Sequence, residues 1–306
     1  MKTSLVAGHE AEDIQNQVSK VLRGLGNPEP PLRLDDVREL LRLDRQYYKS
    51  TDDGVLREFV SRMQIAGKQV LSRPMLVIDA IRKWDLSALW VPDQKRIFID
   101  SDKPKLKWRW HEAHEIGHSI IPWHASFLHG DDQATLRYSC HETIEAEANY
   151  AAGQLTFLQN RFVEEARSVA VPSIEKIKEL ATRYGNTVTS TFWRFVEESQ
   201  DQPMVGLITD HPHRLADDFN PFQPCKHFIQ SPKFRSQFRH VGEVNLFAQV
   251  AGYCGRQRGG MLGTAEIQLM DDNGNNHAFE FQSFSNTFEV LTLGVHKARC
   301  RTGVAV

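Results

Sequence analysis

The sequence predicts an α+β protein, and three observations support this fold class. Apolar residues recur at helical spacing through much of the first 200 residues, for example at 55–71. Two short apolar runs separated by a polar turn, at 86–91 and 95–99, predict a β-hairpin. The last 85 or so residues are rich in strand patterns, most clearly at 265–270 and 277–282, which flank a turn rich in Asp, Asn and Gly.

Composition limits the classes of protein to consider. The 306 residues include 37 Lys and Arg against 39 Asp and Glu, a net charge of −2, which argues against a globally basic nucleic-acid-binding protein. The four cysteines are widely spaced, so neither a zinc ribbon nor a disulfide framework is indicated, and a reducing, cytoplasmic location is expected. We expect no secretion signal, because residues 1–17 lack a long enough apolar core, and no membrane span, because no run of 18 apolar residues occurs.

Three helical segments follow the hairpin. The first is predicted from about Lys105 to Ile121, where Pro122 stops it, and the second runs from about His141 to Arg161. The third begins after Ser173, a candidate N-cap, and continues through a break at Gly185 to about residue 196. The sequence therefore places a long helical region between the hairpin and the strand-rich end.

The first of these helices contains the motif His114-Glu115-x-x-His118. Residues four apart lie on one face of a helix, so both imidazoles can bind one Zn²⁺, while Glu115 can accept a proton from a water that the metal activates. His111 does not fit the same ion, because it lies about 10 Å along the helix axis from His118. The motif thus predicts a hydrolytic zinc site with Glu115 as general base.

A third protein ligand is expected on the second helix. Glu145 is favoured, because Asn149 then lies one turn later and can hydrogen-bond the far nitrogen of a metal-binding imidazole. Glu142 and Glu147 remain alternative ligands. An acidic residue on an Ala-rich helix is more often simply exposed to solvent.

With these residues the chain resembles the ImmA/IrrE family of zinc metallopeptidases. The resemblance rests on His-Glu-Ile-Gly-His at 114–118, on Glu-Ala-Glu-Ala-Asn at 145–149 and on the helical segment 174–195, and it covers about residues 35–200. It implies a zincin-like core that binds one Zn²⁺ per chain through His114, His118 and Glu145, with Glu115 as the base; Mn²⁺ is the alternative metal. Leu155-Thr-Phe-Leu158 departs from the family's usual Leu-Leu-Met-Pro.

The predicted domain organisation follows from these assignments. Residues 1–34 form an N-terminal helical extension, 35–168 the zincin-like metallopeptidase domain, 169–210 a helix-turn-helix-like segment, and 211–306 a C-terminal α+β domain for sensing or partner recognition. The charges of the helix-turn-helix-like segment balance, which favours a scaffold over DNA binding.

The family's members are intracellular, and typical ones cleave helix-turn-helix repressors that control mobile elements, phage or toxin–antitoxin modules, or a DNA-damage response. We therefore expect a cytoplasmic endopeptidase that makes a limited cut in a DNA-binding repressor or antitoxin. The alternative is a zinc-stabilised, non-catalytic module that sequesters a transcription regulator or nucleic acid. Tyr138, His141 and His124 are candidates to stabilise the oxyanion, and the sequence does not choose among them.

A second candidate site lies in the C-terminal region. Lys233, Arg235 and Arg239 alternate with Phe234 and Phe238, a pattern that can bind single-stranded nucleic acid through phosphate contacts and base stacking. More often such a run is an amphipathic element with the phenylalanines directed inward.

Overall fold

The computed structural model describes residues 6, 8–48, 88–91, 95–100, 105–124, 138–199 and 201–300. The predicted helix at 55–71 and the hairpin turn at 92–94 lie outside these ranges. The chain divides into two compact units, 1–159 and 160–306. Each unit combines helices with a β-sheet, which confirms the α+β prediction. Among the described helices, none is both long enough and apolar enough to cross a membrane.

The first unit contains four helices and a three-stranded sheet in its described part. In chain order these elements are α1 (Gly8–Gly24), α2 (Leu34–Leu41), β1 (Asp44–Tyr48), β2 (Ala88–Val91), β3 (Arg96–Asp100), α3 (Lys105–Ile120) and α4 (Tyr138–Thr156). The sheet order is β1-β3-β2, with β1 parallel and β2 antiparallel to β3, so β2 and β3 are the strands of the predicted hairpin. Ile97 and Ile99 on β3 are fully buried.

Helix α3 is fixed to its neighbours by a buried carboxylate. Glu112 accepts hydrogen bonds from Arg38 on α2, at 2.5 Å, and from Arg45 on β1, at 2.9 Å. A buried carboxylate is costly unless it is paired, and here two guanidinium groups compensate its charge. The helix that carries the His-Glu-x-x-His motif is thereby held to both α2 and the sheet.

Helices α3 and α4 approach each other closely at Gly117. A Cβ atom at this position would lie 2.7 Å from the carbonyl oxygen of Ala148 and 3.3 Å from Cβ of Ala151. Glycine is therefore required by the close contact between the two helices. This contact brings the motif of α3 next to the acidic residues of α4.

Helix α4 ends earlier than the sequence predicts. It stops at Thr156, and Leu158 and Gln159 adopt left-handed conformations, with φ of 54° and 51°. The amide of Gln159 donates to the carbonyl of Gln154 and closes the helix end. The prediction that the helix continues to Arg161 is therefore wrong, because a separate helix begins at Asn160, the first residue of the second compact unit.

The second unit is built on a five-stranded antiparallel sheet. Its elements are α5 (Asn160–Arg167), α6 (Ile174–Tyr184), α7 (Val188–Glu197), β4 (Met204–Thr209), β5 (Cys225–Gln230), α8 (Pro232–Gln237), α9 (Glu243–Tyr253), β6 (Gly260–Met270), β7 (Asn276–Ser285) and β8 (Val290–Arg299). The strand order is β5-β4-β8-β7-β6. Residue 211, where the sequence analysis begins its C-terminal domain, lies between two paired strands, so β4 belongs to the same sheet as the strands after it.

Helices cover both faces of this sheet, which explains why all six residues of β4 are buried. A Cβ at Gly206 would lie 2.8 Å from the ring of Phe192 on α7, so α7 packs directly on this face. Val205 and Leu207 point the other way, into a core shared with α8 and α9. Ser173 caps α6 by accepting from the Lys176 amide, as predicted. The helix-turn-helix-like segment thus packs against the sheet through the buried side of α7.

Candidate metal centre

Three side chains from α3 and α4 bring their donor atoms together in the first unit. Nε2 of His114 lies 3.1 Å from Nε2 of His118 and 3.0 Å from a carboxylate oxygen of Glu145. The other oxygen of Glu145 lies 3.5 Å from Nε2 of His118. Within the described residues, this is the group of His, Cys, Asp and Glu side chains that could hold a metal ion.

These separations suit a tetrahedral zinc ion. Zinc binds imidazole nitrogen and carboxylate oxygen at about 2.0–2.2 Å, so two ligands of a tetrahedral site lie about 3.3 Å apart. The three measured separations, 3.0, 3.1 and 3.5 Å, bracket this value. Two imidazoles and one carboxylate are also the donor set of hydrolytic zinc sites with an open fourth position.

Asn149 fixes the orientation of the first imidazole. Its Oδ1 lies 3.1 Å from Nδ1 of His114. An amide oxygen only accepts hydrogen bonds, so Nδ1 of His114 donates to Asn149, and in the neutral imidazole Nε2 then has the lone pair that faces the donor cluster. The position of Asn149, one turn after Glu145, gives the contact that the sequence analysis expects for a partner of a ligand.

Burial and charge control protonation at the cluster. Burial lowers the pKa of His118 to about 4, so its ring is neutral at neutral pH. Burial also opposes protonation of His114, but its hydrogen bond with Glu145 and the charges of Glu115 and Glu145 outweigh this effect and raise its pKa. Burial alone would raise the pKa of the Glu145 carboxyl. The two imidazoles outweigh this effect and hold that pKa well below the usual range. An ionised carboxylate therefore faces two imidazoles, as a cation site requires.

Glu115 lies beside this cluster and is almost completely enclosed. Its exposed fraction is 5%, and its charge acts on His114, the residue before it. A carboxylate enclosed in this way is largely shielded from bulk water.

Comparison with known proteins adds little to this geometry. No protein-family model matches the sequence, and no curated protein matches it. Among solved structures, a Mycobacterium tuberculosis transcriptional regulator aligns over 81% of this chain and 77% of its own, with 11% sequence identity and a TM-score of 0.39. A similarity this weak supports no conclusion about fold or function.

Two residues have contacts that the sequence analysis did not foresee. The sequence analysis considered Glu147 as a metal ligand. Its Oε2 instead accepts a hydrogen bond from Trp123, at 2.6 Å, and lies 2.8 Å from Nε2 of His124. Nδ1 of His124 lies 2.9 Å from Nδ1 of His118. The sequence offered two signals: Glu147 lies two residues from Glu145, which points it to another side of α4, and His124 follows the helix-ending proline.

The remaining candidates lie apart from the donor cluster or outside the described side chains. Glu142 is exposed on α4 and does not belong to the cluster. The side chains of Tyr138 and His141 lie outside the described part of the chain, so their proposed role at the oxyanion stays a prediction.

The basic and aromatic run in the second unit is organised as an amphipathic element. Phe234 and Phe238 are fully buried and stack at 5.0 Å, so their rings are not accessible to bases. Lys233 donates to the carbonyl of Asp201, Arg235 contacts that of Gln230, and Arg239 lies 3.7 Å from Asp272. The aromatic part of the nucleic-acid prediction is therefore wrong, because these rings form the core beneath the helix.

Proposed function

We propose that this chain is a cytoplasmic, zinc-dependent endopeptidase of the ImmA/IrrE type, built on a zincin-like core. The observation that carries the proposal is the convergence of His114, His118 and Glu145 at 3.0–3.5 Å, with the enclosed carboxylate of Glu115 alongside. The site fits one Zn²⁺, or Mn²⁺ as the alternative metal, held by these three side chains.

A zinc ion bound there would polarise a carbonyl group and lower the pKa of water. Glu115 takes a proton from water as the water oxygen forms a bond to the carbonyl carbon of the scissile peptide. The carboxyl group of Glu115 then delivers this proton to the amide nitrogen as the C–N bond breaks. One water is consumed, and the products are a carboxylic acid and an amine, between which a proton passes to give a carboxylate and an ammonium group.

The substrate class follows from the resemblance in sequence rather than from the site. We propose a limited cut in a regulatory protein, namely a helix-turn-helix repressor or an antitoxin. Single cuts in such proteins switch gene expression without general proteolysis.

The direct test is to incubate the zinc-loaded protein with the products of the genes adjacent to its own, any helix-turn-helix protein among them first, and to identify the fragments by mass spectrometry. Glu115→Gln is expected to retain zinc and to lose cleavage by about 10²–10⁴-fold, because the base is absent while the ligands remain. Glu145→Ala is expected to lose both zinc and cleavage. Glu142→Gln, an exposed change on the same helix, is the matched control and should affect neither.

Two outcomes would contradict the proposal. Cleavage that persists in Glu115→Gln would remove the assigned base. Specific binding of the regulator without cleavage, unchanged in Glu115→Gln but abolished in Glu145→Ala, would instead identify a zinc-stabilised binding module.

A further inference from the structure

A buried His–Glu pair lies directly behind the donor cluster. His124 is 0% exposed and Glu147 is 3% exposed, and their facing atoms, Nε2 and Oε2, are 2.8 Å apart. Neither residue contributes a donor atom to the cluster. Burying an imidazole and a carboxylate is costly unless each finds a partner, so this pair calls for an explanation.

The local fold places this pair against one of the three candidate metal ligands, His118. Helix α3 ends at Ile120, and a short helical turn at 122–124 brings His124 back toward the ring of His118, closed by the His124 amide donating to Ile121. The two rings lie 5.0 Å apart between centroids. Trp123 in turn donates a hydrogen bond to the carboxylate of Glu147.

The donor and the acceptor can be assigned at each hydrogen bond that links these side chains. The indole of Trp123 can only donate, so Oε2 of Glu147 accepts, and Nε2 of His124 also donates to this oxygen. In a neutral imidazole the other nitrogen is then an acceptor, so Nδ1 of His124 accepts from Nδ1 of His118 across 2.9 Å. Nε2 of His118 is left with a lone pair that faces the donor cluster.

We propose that His124, held by Glu147, is a positioning residue that keeps His118 in the tautomer able to bind a metal through Nε2. His124 thus does for His118 what Asn149 does for His114. The inference rests on the metal-binding part of the proposed function, but it does not depend on peptidase activity.

Zinc affinity, measured by competition with a chromophoric chelator, tests this role. His124→Phe fills the space but accepts no hydrogen bond, and it is expected to weaken zinc binding by about 10–100-fold. His124→Gln can accept from His118 with its amide oxygen and donate to Glu147 with its nitrogen, so it should restore most of the affinity. Thr156→Val, a buried change on α4 remote from the pair, is the control for general destabilisation and should bind zinc as the wild type does.

A second measurement reads the tautomer itself. In ¹⁵N-labelled, zinc-loaded protein, NMR should find the hydrogen of His118 on Nδ1 and that of His124 on Nε2. A hydrogen on Nδ1 of His124, equal zinc affinity in all variants, or equal losses in His124→Phe and His124→Gln would each overturn the proposal.

The outcomes separate this inference from the proposed function. If the wild type does not bind zinc, both fall together. If it binds zinc and His124→Phe binds equally well, only the role of His124 is lost. If the predicted affinity series is found in a protein that cleaves nothing, the positioning role stands and the peptidase assignment falls.

Discussion

At the scale of single residues, the position of the hydrogen on each imidazole ring decides which nitrogen can bind a metal. His114 and His118 each have one nitrogen directed at the cluster and one directed at a neighbour. Asn149 and His124 accept from the outer nitrogens, so in the neutral imidazoles the inner nitrogens have the lone pairs that a metal needs. The donor cluster is therefore organised by residues that do not themselves touch the metal position.

Asn149 provides a prediction at this scale. Asn149→Ala removes the acceptor at Nδ1 of His114, and we expect zinc affinity to fall by about tenfold or more. Asn149→Asp keeps an acceptor at the same place and should retain most of the affinity. The chelator competition assay measures both, and wild-type affinity in Asn149→Ala would show that the contact does not orient the ligand.

At the scale of secondary-structure elements, the site depends on the contact between α3 and α4. Two ligands come from the first helix and one from the second, so the spacing between the helices sets the spacing between the donors. Gly117 permits that spacing, since a Cβ atom there would lie only 2.7 Å from the carbonyl oxygen of Ala148. The contact is thus part of the site although no ligand takes part in it.

Gly117→Ala is expected to push the two helices apart. Overpacking of this kind costs about 1–3 kcal/mol, and zinc binding should weaken because Glu145 moves away from the two histidines. Denaturant unfolding and chelator competition measure the two effects. Gly153→Ala on α4 is the matched control, because its Cβ would meet nothing within 4 Å and alanine is the better helix former. If the two variants behave alike, the helix contact does not limit the site.

At the scale of the whole molecule, the two compact units differ in what they bury. The candidate metal site is assembled within residues 1–159, whereas residues 160–306 enclose an apolar and aromatic core between sheet and helices. His227 in this second unit packs edge-on against Trp193, with ring centroids 4.5 Å apart. Burial lowers the pKa of His227 to about 4, and the neighbouring charge of Lys226 acts in the same direction.

This histidine makes the stability of the second unit depend on pH. The pKa of His227 is about 4 in the folded protein against an ordinary value of 6.5, so the unfolded chain binds its proton more tightly. The stabilisation is complete above pH 6.5 and is lost as the pH falls toward 4. We expect the melting temperature to decrease over this range.

Thermal unfolding of His227→Phe at a series of pH values tests this expectation. Phenylalanine preserves an aromatic contact with Trp193 but has no titrating group, so the decrease should be smaller than in the wild type. His296, whose pKa is also lowered by burial, should maintain part of the trend. The same pH dependence in both proteins would exclude His227 as its source.

Several features of the fold could be predicted from local sequence. The helix of the His-Glu-x-x-His motif, the hairpin before it, the cap at Ser173 and the break at Gly185 all depend on residues within one or two turns of each other. Local rules failed at the end of α4, because Leu158 and Gln159 adopt left-handed conformations without a glycine or proline to signal them. The sequence analysis also did not predict β4 (Met204–Thr209), which lies before residue 211, the predicted start of the C-terminal domain.

By itself, then, the sequence determined that His114 and His118 share a helix face, since their spacing is a property of the helix. Only the tertiary structure decided which acidic residue joins them. Glu145 and Glu147 lie on the same helix two residues apart, and the packing of α4 on α3 directs the first to the donor cluster and the second to His124. Contacts between elements distant in sequence make this choice, because they depend on how the helices pack and not on local spacing.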